Sequence, residues 1–299
     1  MSSDAPVLAP GECAALAPRP ARDANKYSRG MLAVVGGSEP YPAAPVMATQ
    51  AGMRAGAGYV RLFAPAGAAQ VARAHLLSAP VTACTQTACG AFDPECAADV
   101  VAGAAKARAF VVGPGMGTTS FVGEFLGKFL ERLAAGGDAR PLLIDADALG
   151  VLVAHPELAA LRAGCTDVLT PHEGEAARLL GRRVDGRLAD ARRLAREHGS
   201  VVVLKGPDTL IVAPDGSART CSEGGPELAK AGTGDVLAGI IGAFLAQGLA
   251  PYDAACLGCF LHGRAGKLAA TRFSVNAVMA EDIIGCIGEA FISLEAQGS

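Results

Sequence analysis

Charge is scarce in this chain: 18% of its 299 residues are Asp, Glu, Lys or Arg, against 51% hydrophobic. That balance excludes a disordered chain. Neither sign dominates, since 26 Lys and Arg face 29 Asp and Glu for a formal charge of −3. The basic face of a nucleic-acid binder is therefore not expected. Residues 1–30 show no basic stretch followed by an apolar one, which predicts no secretory signal and a cytoplasmic location. The longest apolar stretch, VLAGIIGAFLAQGLA from Val236 to Ala250, contains Gln247 and stops at Pro251. It falls short of the ~20 residues of a membrane span and reads as a buried helix, with no membrane partner. Nine cysteines, an odd number, are scattered through a well-stocked chain and predict reduced thiols rather than a disulfide framework. Cys256 and Cys259 form a CxxC, but AACLGCFLHG around them reads as an apolar helix. Cys84, Cys89 and Cys96 have no matching His or Cys cluster for zinc. Both common nucleotide signatures, GxxxxGK[ST] and GxGxxG, are also missing. Any nucleotide site must be of another kind.

Glycine, by contrast, is plentiful at 38 residues, roughly twice the usual ~7%. It has no collagen period and serves turns, close approaches and helix ends. A chain of this size buries roughly 75% of its unfolded surface and supports one large core. The Ala- and Pro-rich residues 1–24 read as an N-terminal arm, loosely attached or forming a short helix, before a single domain over 25–299. MLAVVGG, YVRLFAP, AFVVGPG, PLLIDAD, DVLTP and VVVLKG are short, continuously apolar runs, as expected of parallel strands covered on both faces. Helices are predicted at 45–55, 121–133, 174–180 and 188–197, then at 236–247 and 253–270. This alternation is a doubly wound α/β pattern. VVVLKGPDTLIVAPDG, with its Gly-Pro-Asp and Pro-Asp-Gly turns, adds antiparallel strands at one edge.

In such a sheet, ligands bind beyond the carboxyl ends of the strands. Five of those ends carry small or charged clusters: Gly36-Gly37-Ser38, Gly113-Pro-Gly115-Met-Gly117, Asp145-Ala-Asp147, Thr170-Pro-His172-Glu-Gly-Glu175 and Lys205-Gly206-Pro207-Asp208-Thr209. One glycine turn at a strand end is ordinary; five on one rim point to a site. Ala231-Gly232-Thr233-Gly234-Asp235 directly precedes a helix, whose unpaired amides and dipole make an anion site. Asp235 either stabilises that helix end by charge–dipole attraction or serves as a base in phosphoryl transfer. Asp145, Asp147 and Glu175 are hard oxygen ligands suited to Mg²⁺, or else caps and turn residues. His172 lies on the same rim. The arginine-rich stretch from Arg178 to Arg196 reads as a solvated helical face, with phosphate contact by one or two of its members as the lesser reading.

KYSRGMLAVVGGSEPYPAAPVMATQAGMRAGAGYVRL, VVGPGMG, LIDADAL, LTPHEGEAARLLG, VVLKGPDTLI and AKAGTGDVLAGIIGAFLAQG follow one another from about Asn25 to Gly288. In that order they resemble the NAD(P)H-hydrate dehydratases. The resemblance implies a ribokinase-like three-layer α/β/α fold with a mostly parallel central sheet and antiparallel edge strands. It implies dehydration of the (S)-hydrate of NADH or NADPH at the expense of ADP, or ATP, as co-substrate, with Mg²⁺, in nicotinamide nucleotide repair. Carried onto this sequence, the hydrate contacts Ala44, Gly115, His172 and Asp235, and the adenine nucleotide contacts Lys205, Gly206, Pro207, Asp208, Thr209 and Gly234. Gly232, Thr233 and Gly234 form the anion hole, Asp235 is the catalytic base, and Glu175 and Asp147 are the metal ligands. A homo-oligomer such as a tetramer, and a separate NAD(P)H-hydrate epimerase, are the implied partners. The chain departs from the family pattern at Glu223–Lys230 and at Gly150. Two rival functions share the motifs: a ribokinase-like kinase of a vitamin precursor, and a catalytically silent nucleotide-binding module.

Overall fold

A computed structural model describes residues 5–296. Nine strands form one sheet: β1 (Met31–Val35), β2 (Tyr59–Pro65), β3 (Val81–Cys84), β4 (Ala109–Val112), β5 (Leu142–Ile144), β6 (Val168–Leu169), β7 (Val201–Leu204), β8 (Thr209–Val212) and β9 (Ala218–Cys221). Their order is β3-β2-β1-β4-β5-β6-β7-β8-β9. Pairing is parallel from β3 through β7 and antiparallel for β7 with β8 and β8 with β9. Both the parallel body and the antiparallel edge agree with expectation. The helices are α1 (Pro10–Leu16), α2 (Ala43–Arg54), α3 (Ala66–His75), α4 (Ala97–Gly103), α5 (Ser120–Ala135), α6 (Asp147–Ala154), α7 (Glu173–Leu180), α8 (Arg187–His198), α9 (Thr233–Ala246), α10 (Pro251–Phe273) and α11 (Ala280–Glu295).

The strands are buried on both faces because alternate residues point to opposite sides. Leu32 and Val34 of β1, Val111 of β4 and Val203 of β7 join one apolar cluster with α2, α9, α10 and α11. Met31, Ala33 and Val35, with Phe110 and Val202, join a second cluster with α4, α5, α7 and α8. These two cores separate three layers. The chain enters at β1, fills one side to β3, then crosses back to β4 beside β1. Between β1 and β4 the strand order reverses, which opens a crevice at their carboxyl ends.

β3 was not expected, because this short edge strand is only partly buried and has no continuous apolar run. Helices α3, α4, α6 and α11 were likewise unread, the first two being short and alanine-rich. At the N-terminal end, Val7 pairs in parallel with Thr220 of β9. The Leu8 amide donates to the Thr220 carbonyl at 2.8 Å. Helix α1 follows, with Cys13 fully buried and Glu12 3.1 Å from Arg219. All nine cysteines are free thiols, and Cys256 and Cys259 lie in the core on α10. Among the described residues no helix is long and apolar enough to cross a membrane.

Candidate active site

Helix α9 begins beyond the strand ends, and Gly232 is its N-cap at φ +88°. That backbone suits glycine, and a Cβ there would also press on Met47 of α2 and on Ala280. Thr233, Gly234 and Asp235 form the first turn, with amides unpaired within the helix. One turn before Met47 on α2 lies Ala44, which packs with Tyr41 against Gly115 in the loop after β4. The amino end of α2 thus draws Ala44, Gly115 and the start of α9 into one neighbourhood. The Ser38 hydroxyl donates to the Gly115 carbonyl at 2.8 Å, tying the loops after β1 and β4 together.

Burial pushes the Asp235 carboxyl up to about 7, with the charges of Asp145 and Asp147 adding to the rise and Lys205 opposing it. Asp235 therefore gains and loses its proton near neutrality, as suits a base. Lys205, at the end of β7, sits 2.9 Å from Asp145 and 3.8 Å from Glu175. Desolvation pulls the Lys205 ammonium down, but Asp145, Glu175 and Asp235 outweigh it and hold it above its ordinary value. The same ammonium lies 3.6 Å from where a Cβ on Gly234 would be, at the mouth of α9.

Asp145 is 2% exposed, and Asp147 accepts from the Gly117 amide at 2.8 Å. Ala146 between them adopts φ +52°, ψ −124°. This is a conformation that costs a non-glycine residue of order 1–3 kcal/mol and persists where surroundings enforce it. His172 caps α7: its Nδ1 accepts from the amides of Gly174 (3.0 Å) and Glu175 (3.3 Å), while the His172 amide donates to Glu175 Oε2 at 2.8 Å. This reciprocal capping leaves the ring proton on Nε2, 3.5 Å from Glu175 Oε1, in a side chain 57% exposed. The HEGE of TPHEGE is thus also a helix-start device, which the sequence reading did not see.

A cavity of about 890 Å³ opens beside these groups. Its walls include His172, Lys205, Gly206, Pro207, Thr209, Thr233 and Gly234, all expected at the site. Asp208 does not line it; its carboxylate accepts from Ser222 at 2.6 Å, and its carbonyl from Arg187 at 2.9 Å. Asp145, Lys205, Glu175, His172 and Asp235 are brought together, while Ala44 and Gly115 meet each other but do not line the cavity.

A family model described as NAD(P)H-hydrate dehydratase matches residues 32–288. The chain belongs to the NAD(P)H-hydrate dehydratase family. It is 40% identical over 257 residues to an ADP-dependent (S)-NAD(P)H-hydrate dehydratase of Neisseria meningitidis, covering 83% of this chain and 80% of that one. To the bifunctional NAD(P)H-hydrate repair enzyme of Escherichia coli it is 37% identical over 270 residues, covering 88% of this chain and 48% of that one. It spans about half the length of such bifunctional relatives. A solved ADP/ATP-dependent NAD(P)H-hydrate dehydratase of Bacillus subtilis, co-crystallized with ATP and Mg²⁺, superposes with a TM-score of 0.80 at 25% identity, covering 98% of this chain and all of that one. The ribokinase-like fold follows.

The cavity walls add residues that were not expected at the site: Glu223, Gly224 and Gly225, with Cys221, Cys259 and His262. Glu223 was noticed only as the start of a departure from the family pattern. Gly224 and Gly225 follow it in that same departure segment and Cys259 closes the CxxC read as core, while nothing local marks Cys221 or His262. Among the described residues no group of three or more His, Cys, Asp or Glu forms a metal cage. Mg²⁺ keeps several waters and binds through one or two carboxylates plus phosphates. The hard oxygens of Asp147 and Glu175 fit that mode, not a dedicated cage.

Proposed function

We propose that this chain dehydrates the (S)-hydrate of NADH or NADPH to the reduced coenzyme, converting ADP to AMP and phosphate. The observation that carries the reading is Asp235, a partly buried carboxyl titrating near 7 in the first turn of α9, beside the Lys205–Asp145 pair. Asp235 takes the proton of the hydrate's hydroxyl as that oxygen attacks the terminal phosphoryl group of ADP. The new O–P bond forms as the bond to AMP breaks. The amides of Gly232, Thr233 and Gly234, with the Lys205 ammonium, stabilise charge on the transferring group. Phosphate then leaves with the C–O electron pair, pushed by the lone pair of the ring nitrogen. Loss of the adjacent ring proton restores the double bond of the dihydropyridine.

Ala44, Gly115 and His172 hold the hydrate, while Lys205, Gly206, Pro207, Asp208 and Thr209, with Gly234, hold the nucleotide. For Asp208 that role falls to the backbone. Mg²⁺, held by Asp147 and Glu175, supplies neutralisation of phosphate charge when bound. The same reading has residues 25–299 acting as one domain in the cytoplasm, as a homo-oligomer, with a separate epimerase supplying the (S)-epimer.

The test is absorbance at 340 nm with purified protein, Mg²⁺ and NADH-hydrate, with ADP or ATP in separate reactions. Growth with ADP is expected; growth with ATP alone would reassign the donor. Absence of growth with either would favour kinase action on another hydroxyl. Asp235→Asn is expected to lower turnover by about 10²–10⁴-fold while sparing nucleotide binding. Full activity in that variant would remove Asp235 from the mechanism.

A further inference from the structure

Among the described residues that wall the cavity, Glu223 is the one acidic side chain. A carboxylate is an unexpected neighbour for a nucleotide. When ionised it only accepts hydrogen bonds, and it repels an ionised phosphate. The edge strands place it away from the phosphate end. Lys205 directly follows β7; Leu204 of β7 pairs with Leu210 of β8, and Thr209 of β8 pairs with Cys221, the last residue of β9. Strands β7 and β9 therefore end on the same rim with one strand between them, roughly 10 Å apart at the usual strand spacing. Glu223 follows two residues after Cys221. It stands two strands along the rim from Lys205, which lies at the mouth of α9.

The carboxylate is firmly held. From α10, Arg264 Nε donates to its Oε1 at 2.6 Å, and Lys267 Nζ lies 3.3 Å from its Oε2. The Arg264 guanidinium packs over the Phe260 ring, 5.2 Å from the centroid. The main chain is fixed as well, since a Cβ on Gly263 of α10 would strike the Glu223 carbonyl. Two cations offset the charge, so the group does not expel an anionic ligand. Nor is it sealed, because its side chain keeps 15% of its surface exposed. A carboxylate offers about four lone-pair sites, of which Arg264 and Lys267 occupy two. The two left match neighbouring hydroxyl donors, which ribose carries and phosphate does not. Acidic side chains read the ribose of dinucleotides in other folds for the same reason.

We infer that the Glu223 carboxylate accepts hydrogen bonds from the ribose hydroxyls of the bound nucleotide and so selects ribonucleotides over deoxyribonucleotides. The inference rests on the nucleotide reading of the cavity and adds a specificity-determining residue to it.

Equilibrium binding tests it without any turnover. Purified protein is titrated with ADP, 2′-deoxy-ADP, 3′-deoxy-ADP and purine riboside diphosphate, which keeps both hydroxyls and lacks the adenine amine. The same series is run on Glu223→Ala, with Glu223→Met in its place should that variant fail to fold. One or both deoxy analogues are expected to bind the wild type about 10–100-fold more weakly than ADP. That deficit vanishes in the Ala variant, and the analogue that shows it names the hydroxyl. A fall in ADP affinity in the Ala variant with the deficit unchanged makes Glu223 a strut between the wall and α10 and overturns the inference. Equal binding of ADP and both deoxy analogues by the wild type overturns it too. A Glu223-dependent deficit on purine riboside diphosphate alone moves the contact to the base and overturns the ribose assignment. These outcomes leave the nucleotide site standing, whereas failure of the wild type to bind any adenine nucleotide overturns that reading as well.

Discussion

The two faces of the sheet are built by different means. On the face carrying α5, large rings fill the core: Phe92 stacks on Phe125 with centroids 4.3 Å apart, and Phe110 meets Phe129 edge-on at 5.5 Å. On the face carrying α9, small residues let main chains meet. A Cβ added to Gly239 of α9 would strike the Ala48 carbonyl of α2, and one on Gly52 would lie 3.4 Å from the Gly239 carbonyl. Side-chain packing tolerates adjustment, whereas backbone contact does not. The candidate site hangs on the second kind of face, because α2 and α9 together set where Ala44, Gly115 and Asp235 stand.

That contrast can be broken first where it is largest. Phe125→Ala is expected to cost about 3–5 kcal/mol of stability, read as the urea midpoint, while the folded fraction keeps its turnover and nucleotide affinity. Gly239→Ala is expected to cost less, about 1–3 kcal/mol, yet to depress turnover well beyond that loss because α9 must shift. Unchanged turnover in folded Gly239→Ala would dissolve the distinction between the faces.

Acid and base limbs of stability sharpen the same comparison. Asp138 belongs to the α5 face: burial raises it, but the Arg140 and Arg162 guanidinium groups and an Arg140 amide outweigh that and hold it below its ordinary 3.8. The unfolded state therefore binds the proton more readily, so the contribution of Asp138 is present above about pH 4 and is lost as pH falls through its folded value. Asp235 has the opposite sign. Its folded value near 7 exceeds the ordinary 3.8, so its relative stability is complete below about pH 4 and is lost as pH rises through 7. Asp235→Asn should accordingly flatten the decline between pH 4 and 7 and leave the protein firmer than wild type at pH 8. Turnover should rise through about pH 7 in the wild type as the base is freed. Urea midpoints at pH 5 and 8, with a pH–rate profile, check both.

The smallest effect is expected at Arg187. Its guanidinium holds the carbonyls of Leu204, Lys205 and Asp208, so it positions the loop after β7, proposed above to hold the nucleotide, through the backbone. Arg187→Ala should weaken ADP binding about fivefold with little change in the urea midpoint.

Strands β1, β2 and β4 to β7 were legible because burial on both faces makes each an unbroken apolar run. β3, at the edge and half open to solvent, left no such trace. At the site, Gly232 to Asp235 and Lys205 announced themselves by standing at a helix start and a strand end. What stayed hidden was pairing across distance. Nothing local to Lys205 says that Asp145, sixty residues earlier, holds its ammonium, or that His172 is fastened as a helix cap. His262 was hidden most completely, since AACLGCFLHG reads as core and its place on the cavity wall exists only once α10 is packed there.

The seating of residues 5–17 on β9 bears on how the protein is made. Glu12 reaches Arg219, a separation of 207 residues, so the segment leaves the ribosome long before its partner strand exists. β1 and β2 can pair early, being close in sequence. This segment must wait, exposed, until β8 and β9 have turned back against β7. Translation order and assembly order are therefore inverted at this edge, and the first described residues to be synthesised are among the last to find their place.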